Sequence, residues 1–362
     1  MMRSVTRGRR RLGMLGAAMV GGLAARFQIG RARVEREWRD ARPGRLDDFG
    51  TLSRVRILPL VDAEGAADRL MTESGVSYLV IADERRILFD LGLSAGRRSP
   101  LVENANYLGI DLSSIDLVVI SHPHPDHVGG IRSAATRTFH APDAILGATS
   151  TRALTPVPMS HPHLRCEHAA SPTVLAAGVA TTGTISRALF FFGRTPEQAL
   201  LVNVEGRGLV VVVGCGHQGV PRLLERVEAL SSSPIHAVVG GLHLPVHGLL
   251  AQDILGTANW PWQRTQESVV ESTIDALERR SPKRVAVSPH DTSRWALDRF
   301  KEAFGDRYRT IRVGEEIRVE APVEPPRRPQ LPASPSGRPG SPARSDVAGT
   351  VAIADADPVS YR

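Results

Sequence analysis

A chain of 362 residues, 42% hydrophobic and 23% charged, has enough apolar length for one substantial core or two small ones. Its net charge of +7 does not mark a nucleic-acid binder. All 45 basic residues but Lys283 and Lys301 are arginine, many lie in the two ends, and no helix-turn-helix, zinc-finger or basic–aromatic pattern accompanies them.

At the N-terminus, Arg3, Arg7, Arg9, Arg10 and Arg11 precede an apolar stretch over 12–25 that ends on Ala24 and Ala25. A basic start, a short apolar run and small residues after it are the layout of an export signal, expected over residues 1–30. That predicts a periplasmic or secreted protein. Left uncleaved, the segment would be a membrane anchor, the one route by which a membrane becomes a partner. Read as a disordered basic extension, it would leave the protein cytoplasmic. A linker is expected over 31–51, the globular domain over 52–320, and a disordered Pro-, Ser-, Arg- and Gly-rich tail over 321–362.

Within the globular part, Val- and Ile-rich runs predict strands at 55–60, 77–82, 86–90, 116–121, 199–204, 208–213, 236–240 and 284–288. Helical spacing is found over 220–230, 266–279 and 293–304, and a closing hairpin is expected from 310–313 and 316–319. Strands clustered early and then interleaved with helices predict an α/β protein whose helices cover both sides of its sheets.

The informative segment follows the strand at 116–121: His122-Pro-His124-Pro-Asp126-His127, closed by Gly129-Gly130. Three imidazoles and a carboxylate crowded into one tight loop leave polar groups that need partners. A divalent metal satisfies them together, at bond lengths of about 2.0–2.2 Å for zinc. Pro123 and Pro125 stiffen the loop and lower the entropy lost in ordering it.

His-x-His-x-Asp-His on the end of a buried strand resembles the hallmark of the metallo-β-lactamase superfamily, and the resemblance extends over roughly 52–320. It implies an αββα sandwich of the α/β (α+β) class with a two-metal cleft at one edge of the sheets. It further implies that His122 and His124 hold one metal, that Asp126 and His127 hold the second, and that Asp90 orients a ligand histidine. Where the usual family member has a bridging Asp, this chain has Gly214-Cys215-Gly216-His217-Gln218-Gly219. That segment, with Gly240-Gly241-Leu242-His243 and the late Pro289-His290, is similar to a subgroup that includes dihydropterin-methyl-ribofuranosylaminobenzene phosphate synthases. The implied ligands are His217 and His290, with Cys215 either a thiolate ligand or a buried thiol and His243 facing the substrate. The implied cofactor is two divalent ions, zinc in the first place and Mn2+ or Fe2+ as alternatives.

On this reading the protein is a metallo-hydrolase of a small-molecule substrate: a metal-activated hydroxide attacks an ester, phosphoester, thioester or amide-type centre. Asp126 orients the nucleophile and His243 donates to the developing oxyanion or the leaving group. A transferase forming a C–N bond on a phosphorylated substrate is the alternative. The segment 288–293, Ser-Pro-His-Asp-Thr-Ser, lacks the two cysteines found there in the archaeal synthases and disfavours it. A non-catalytic metal-binding relative is a third class, opposed by the complete ligand motif. A second cluster, His161, His163, Cys166 and His168, has ligand-type residues without a buried strand to anchor them, and reads as a solvated loop. Trp260 and Trp262 are candidates for an aromatic lid over the cleft.

Overall fold

The computed structural model describes residues 2–46, 48–146 and 151–322. In chain order the elements are helix α1 (Met2–Asp40), strands β1 (Arg54–Val61), β2 (Ser77–Ala82) and β3 (Arg85–Phe89), then α2 (Pro100–Tyr107), β4 (Leu117–Val119), α3 (Ile131–Thr136) and α4 (Asp143–Leu146). Strands β5 (Arg152–Thr155), β6 (Arg165–His168), β7 (Thr173–Ala176), β8 (Val179–Thr181), β9 (Ile185–Leu189), β10 (Gly193–Glu197), β11 (Leu200–Val204) and β12 (Gly208–Val213) follow. The chain continues with α5 (Val220–Leu230), β13 (Ile235–Gly240), α6 (Leu250–Leu255), α7 (Glu267–Glu278), β14 (Arg284–Val287), α8 (Arg294–Phe304), β15 (Tyr308–Thr310) and β16 (Ile317–Glu320).

Two seven-stranded sheets form, in the orders β16-β1-β2-β3-β4-β5-β6 and β15-β14-β13-β12-β11-β8-β7, with β9 and β10 as a separate hairpin. Alternation along the strands sorts side chains into three apolar layers. Val210 and Val212 point between the sheets, toward Ile57, Val80 and Phe89. Val211 and Val213 point the other way, onto Leu223 and Leu224 of α5 and Phe300 of α8. On the far side of the first sheet, Leu88 and Val118 pack with Leu101 and Ala105 of α2. A strand buried on both faces has no polar alternation, which is why 208–213 reads Gly-Leu-Val-Val-Val-Val. The result is the αββα sandwich of the metallo-β-lactamase fold.

The direction of the strands decides where the site lies. β3 pairs in parallel with β4, and β12, β13 and β14 are mutually parallel. The segments leaving their carboxyl ends, at Asp90, Ser121, Gly214, Gly241 and Ser288, therefore emerge on common edges. There the backbones pack too closely for side chains: a Cβ on Gly214 would collide with Ser121 Oγ, and one on Gly241 with the Gly214 carbonyl.

Two expectations give way. The closing segments are not a hairpin: β15 pairs with β14 in one sheet and β16 with β1 in the other, so the chain crosses between sheets at 311–316. The stretch expected as a linker over 31–51 continues as helix to Asp40. Phe27 and Val34 are buried against Ala188 and Phe190, and Glu37 and Glu35 pair with Arg194 and Arg222. An apolar stripe on an otherwise charged helix docks it there. Among the described residues no helix is long and apolar enough to cross a membrane. From residue 323 the expected tail lies outside the described residues, as do the side chains of 1–19.

Candidate metal centre

The loop after β4 carries His122, His124, Asp126 and His127, and His122 and His127 are fully buried. Their ring centroids are 4.1 Å apart. The loop after β12 brings Cys215 and His217, and the loop after β14 brings His290. Two sets of donors result: Asp126, His127, Cys215 and His290, and His122, Cys215 and His217. Within each set, one donor atom per residue lies within 4.8 Å of all the others. Cys215 belongs to both sets. Its Sγ is 3.1 Å from His127 Nε2 and 3.2 Å from His290 Nε2. His124 stands beside the second set, its ring 4.5 Å from that of His122 and 4.8 Å from that of His217.

These residues fit a cation. His122 Nε2 and both ring nitrogens of His217 are buried without any hydrogen-bond partner, an arrangement that costs free energy unless a ligand satisfies it. Burial and the neighbouring histidines hold His122 and His217 well below the usual imidazole range, and burial takes His124 to about 4 and His290 to about 3. All four are neutral at pH 7, the form that ligates metals. Burial opposes the charge on His127 as well, but Asp126 and Asp90 on either side outweigh it and raise the ring well above its ordinary value. Burial works the same way against Asp126, and there the adjacent His127 wins and lowers the carboxyl. Burial, then Asp291 and Asp126, push the Cys215 thiol up. A divalent cation would displace the protons held by His127 and Cys215.

Buried carboxylates orient the donors. Asp90 accepts from the backbone N–H and the hydroxyl of Ser121 at 2.7 and 2.6 Å and lies 2.7 Å from His127 Nδ1. Ser121 Oγ in turn lies 2.9 Å from His122 Nδ1. The expected orienting role of Asp90 has this geometry, at a φ of +62° that costs backbone energy. On the other side, the Ser288 hydroxyl lies between Asp62, at 2.7 Å, and His290 Nδ1, at 2.6 Å, and Tyr78 donates to Asp62 at 2.8 Å. Glu197 accepts the backbone N–H groups of Cys215, Gly216 and His217 at 3.1, 2.7 and 2.8 Å, which fixes that loop. Sequence patterns pointed to neither Asp62 nor Glu197. The available signals were an acid at the end of an apolar strand, after Leu60-Val61, and one directly ahead of another, before Ala199.

His243, on the loop after β13 at a φ of +49°, packs its ring 4.5 Å from that of His217. Neither of its ring nitrogens has a partner, and it belongs to neither donor set. It lines a cavity of about 290 Å³ with His124, Asp126, Phe192, Leu255 and Asp291. The Phe192 ring lies 4.3 Å from that of His124, tilted by 36°. Trp260 and Trp262 do not line this cavity; they stack on each other at 5.1 Å, and Trp260 clamps Phe27 of α1 instead. The aromatic wall at the cleft is Phe192, because the β9–β10 turn reaches it and the tryptophan loop does not. In the cluster at 161–168, His161 stacks on Phe139 and His168 contacts the Pro156 carbonyl. Among the described residues it forms no donor set.

Residues 71–146, which contain the first ligand loop, match the model of the metallo-beta-lactamase superfamily. The chain carries a metallo-beta-lactamase domain. Over 315 residues it is 25% identical to 7,8-dihydropterin-6-methyl-4-(beta-D-ribofuranosyl)-aminobenzene-5'-phosphate synthase of Methanocaldococcus jannaschii, covering 75% of this chain and 99% of that protein. It is also 31% identical over 88 residues to a ribonuclease of Thermus thermophilus, across 24% of this chain and 18% of the ribonuclease. The solved structure of Tm1679, a metal-dependent hydrolase of the beta-lactamase superfamily, shares 22% identity at a TM-score of 0.54, over 74% of this chain and 99% of that one. The family match itself holds β2–β4 and the loop with His122, His124, Asp126 and His127, while the fold shared with Tm1679 extends over 74% of the chain.

Proposed function

We propose that this protein is a metal-dependent hydrolase acting on an ester, phosphoester, thioester or amide-type substrate, with two divalent ions, zinc first among them. The observation that carries the reading is the pair of donor sets sharing Cys215, with buried ring nitrogens that have no protein partner. When bound, such ions lower the pKa of a water toward about 7 and polarise a carbonyl or phosphoryl oxygen.

The chain's own residues do the rest. Asp90 and the Asp62–Ser288 pair hold ligand rings in one orientation, the kind of support whose loss costs about 10–100-fold in metal affinity or activity. Asp126, with 27% of its side chain exposed, is the most open of the donors that line the cavity. His243, kept neutral by burial with a pKa of about 4, offers one N–H from the cavity wall, and hydrogen-bonds to the oxygen that gains charge. Phe192 and Leu255 exclude water from the apolar side of the cleft.

A second reading, a transferase acting on a phosphorylated substrate, draws on the M. jannaschii synthase, whose whole length this chain matches. The test is turnover of a panel of esters, thioesters, lactones and phosphoesters by the purified protein, with its metal content measured in parallel. Hydrolysis that follows metal occupancy is expected. A fully loaded protein that hydrolyses none of them overturns the hydrolase reading in favour of the transferase.

A further inference from the structure

Behind the metal-facing cavity lies a second one, of about 230 Å³, and His217, His243 and Gly256 line both. The two differ in charge. The front cavity is lined by Asp126 and Asp291 and by no arginine or lysine. The rear cavity is lined by Arg187 and by no acid, with Thr257, Asn259 and Ser272 supplying polar surface.

Arg187 lies on β9, opposite Thr195 of β10. Among the described residues its guanidinium has no hydrogen bond and no ion pair. The carboxylate nearest in charge, Glu35, is already engaged, since Arg222 Nη2 donates to its two oxygens at 2.7 and 2.6 Å. Arg222 and Arg31 add further positive charge around Arg187. A partly buried guanidinium without a partner, in a region of like charge, is costly unless an anion completes it. Both His243 ring nitrogens also lack hydrogen-bond partners, and His243 lines the same cavity with Asn259.

We propose that the rear cavity is an oxyanion subsite, in which Arg187 binds an acidic group of the substrate while the scissile bond lies at the metal centre on the other side of His217 and His243. The substrate class is then an anionic small molecule, carrying a phosphate or a carboxylate on the side away from the bond that is cut. This deepens the hydrolase reading and rests on it for the position of that bond. The anion site itself does not depend on metal.

Isothermal titration of the purified full chain with phenylphosphonate, benzoate and neutral benzamide tests it. Phenylphosphonate and benzoate are expected to bind and benzamide not to; tighter binding of one acid assigns the group as phosphate or carboxylate. Arg187→Gln should weaken binding at least tenfold with metal content unchanged, and Arg187→Lys should retain part of it. Asp126→Ala, or wild-type protein stripped with a chelator, should still bind the acids in an Arg187-dependent way. Binding unchanged in Arg187→Gln, binding of benzamide equal to that of the acids, or binding that vanishes with the metal overturns the proposal. If instead the protein takes up no metal but Arg187-dependent binding persists, the hydrolase reading fails and the anion subsite stands.

Discussion

The two halves of the metal centre are built in different ways. His122, His124, Asp126 and His127 come from a single loop of six residues, stiffened by two prolines and held from below by Asp90 through Ser121. Cys215, His217 and His290 come from the ends of two strands, β12 and β14, which meet only because those strands run parallel with β13 between them. The first half is local and needs little beyond its own loop. The second exists only in the folded sheet, and it carries more support: Glu197 under the Cys215 loop and Asp62 behind His290, both fully buried. A long-range site needs more buried polar groups to keep its donors in place, because no short loop restrains them.

The comparison can be broken at its firmest point first. His122→Ala or Asp126→Ala, each removing a donor from a different set, should abolish metal retention in elemental analysis and lower hydrolysis at least about 10³-fold. Retained metal and activity in either variant would remove that loop from the centre.

Cys215 is where the halves join, and it gives the next effect. Cobalt-loaded protein should show a near-ultraviolet sulfur-to-metal charge-transfer band that disappears in Cys215→Ser and Cys215→Asp alike. Asp in place of Cys should keep both ions, Ser should lose one, and activity should fall about 10–100-fold. A band that persists without Cys215 would mean that its thiol is not shared.

The smallest effect concerns the support under His290. Burial raises the Asp62 carboxyl from its ordinary 3.8 to about 7, against the hydrogen bonds from Ser288 and Tyr78. Between those values the folded state holds a proton that the unfolded chain has released, so the contribution of Asp62 to stability is fullest below about pH 4 and is lost as pH rises through the window to about 7. Denaturant unfolding of chelator-treated protein should show that fall, and Asp62→Asn should flatten it. An unchanged slope in the variant would assign the pH dependence to other groups, Glu197 first, whose carboxyl burial likewise takes to about 7.

Part of the fold and the first ligand loop could be read directly. The Val-rich runs are strands because only a double-sided core accepts them, and three imidazoles and a carboxylate within 122–127 mark that loop as a candidate cation site. The orienting role of Asp90 was legible through the resemblance alone. Arg187 was not legible at all, since one more arginine in an arginine-rich chain carries no signal until a cavity without acids surrounds it. The N-terminal stretch shows the limit most plainly. Residues 31–51 read as a linker, yet in the folded protein the chain is helix up to Asp40, with Val34 buried beside Phe27 against Ala188 and Phe190.

What the sequence determined by itself was therefore the local chemistry: a buried strand, a stiff loop and four metal-type donors within reach of one another. Tertiary structure alone decided that Cys215 lies between both donor sets, that Glu197 and Asp62 lie beneath them, and that an unpaired guanidinium lies on the far side of His217 and His243. The physical reason is distance along the chain. Groups a few residues apart are constrained by the covalent backbone, whereas groups tens to hundreds of residues apart meet only through sheet order and strand direction, which follow from how the whole core packs.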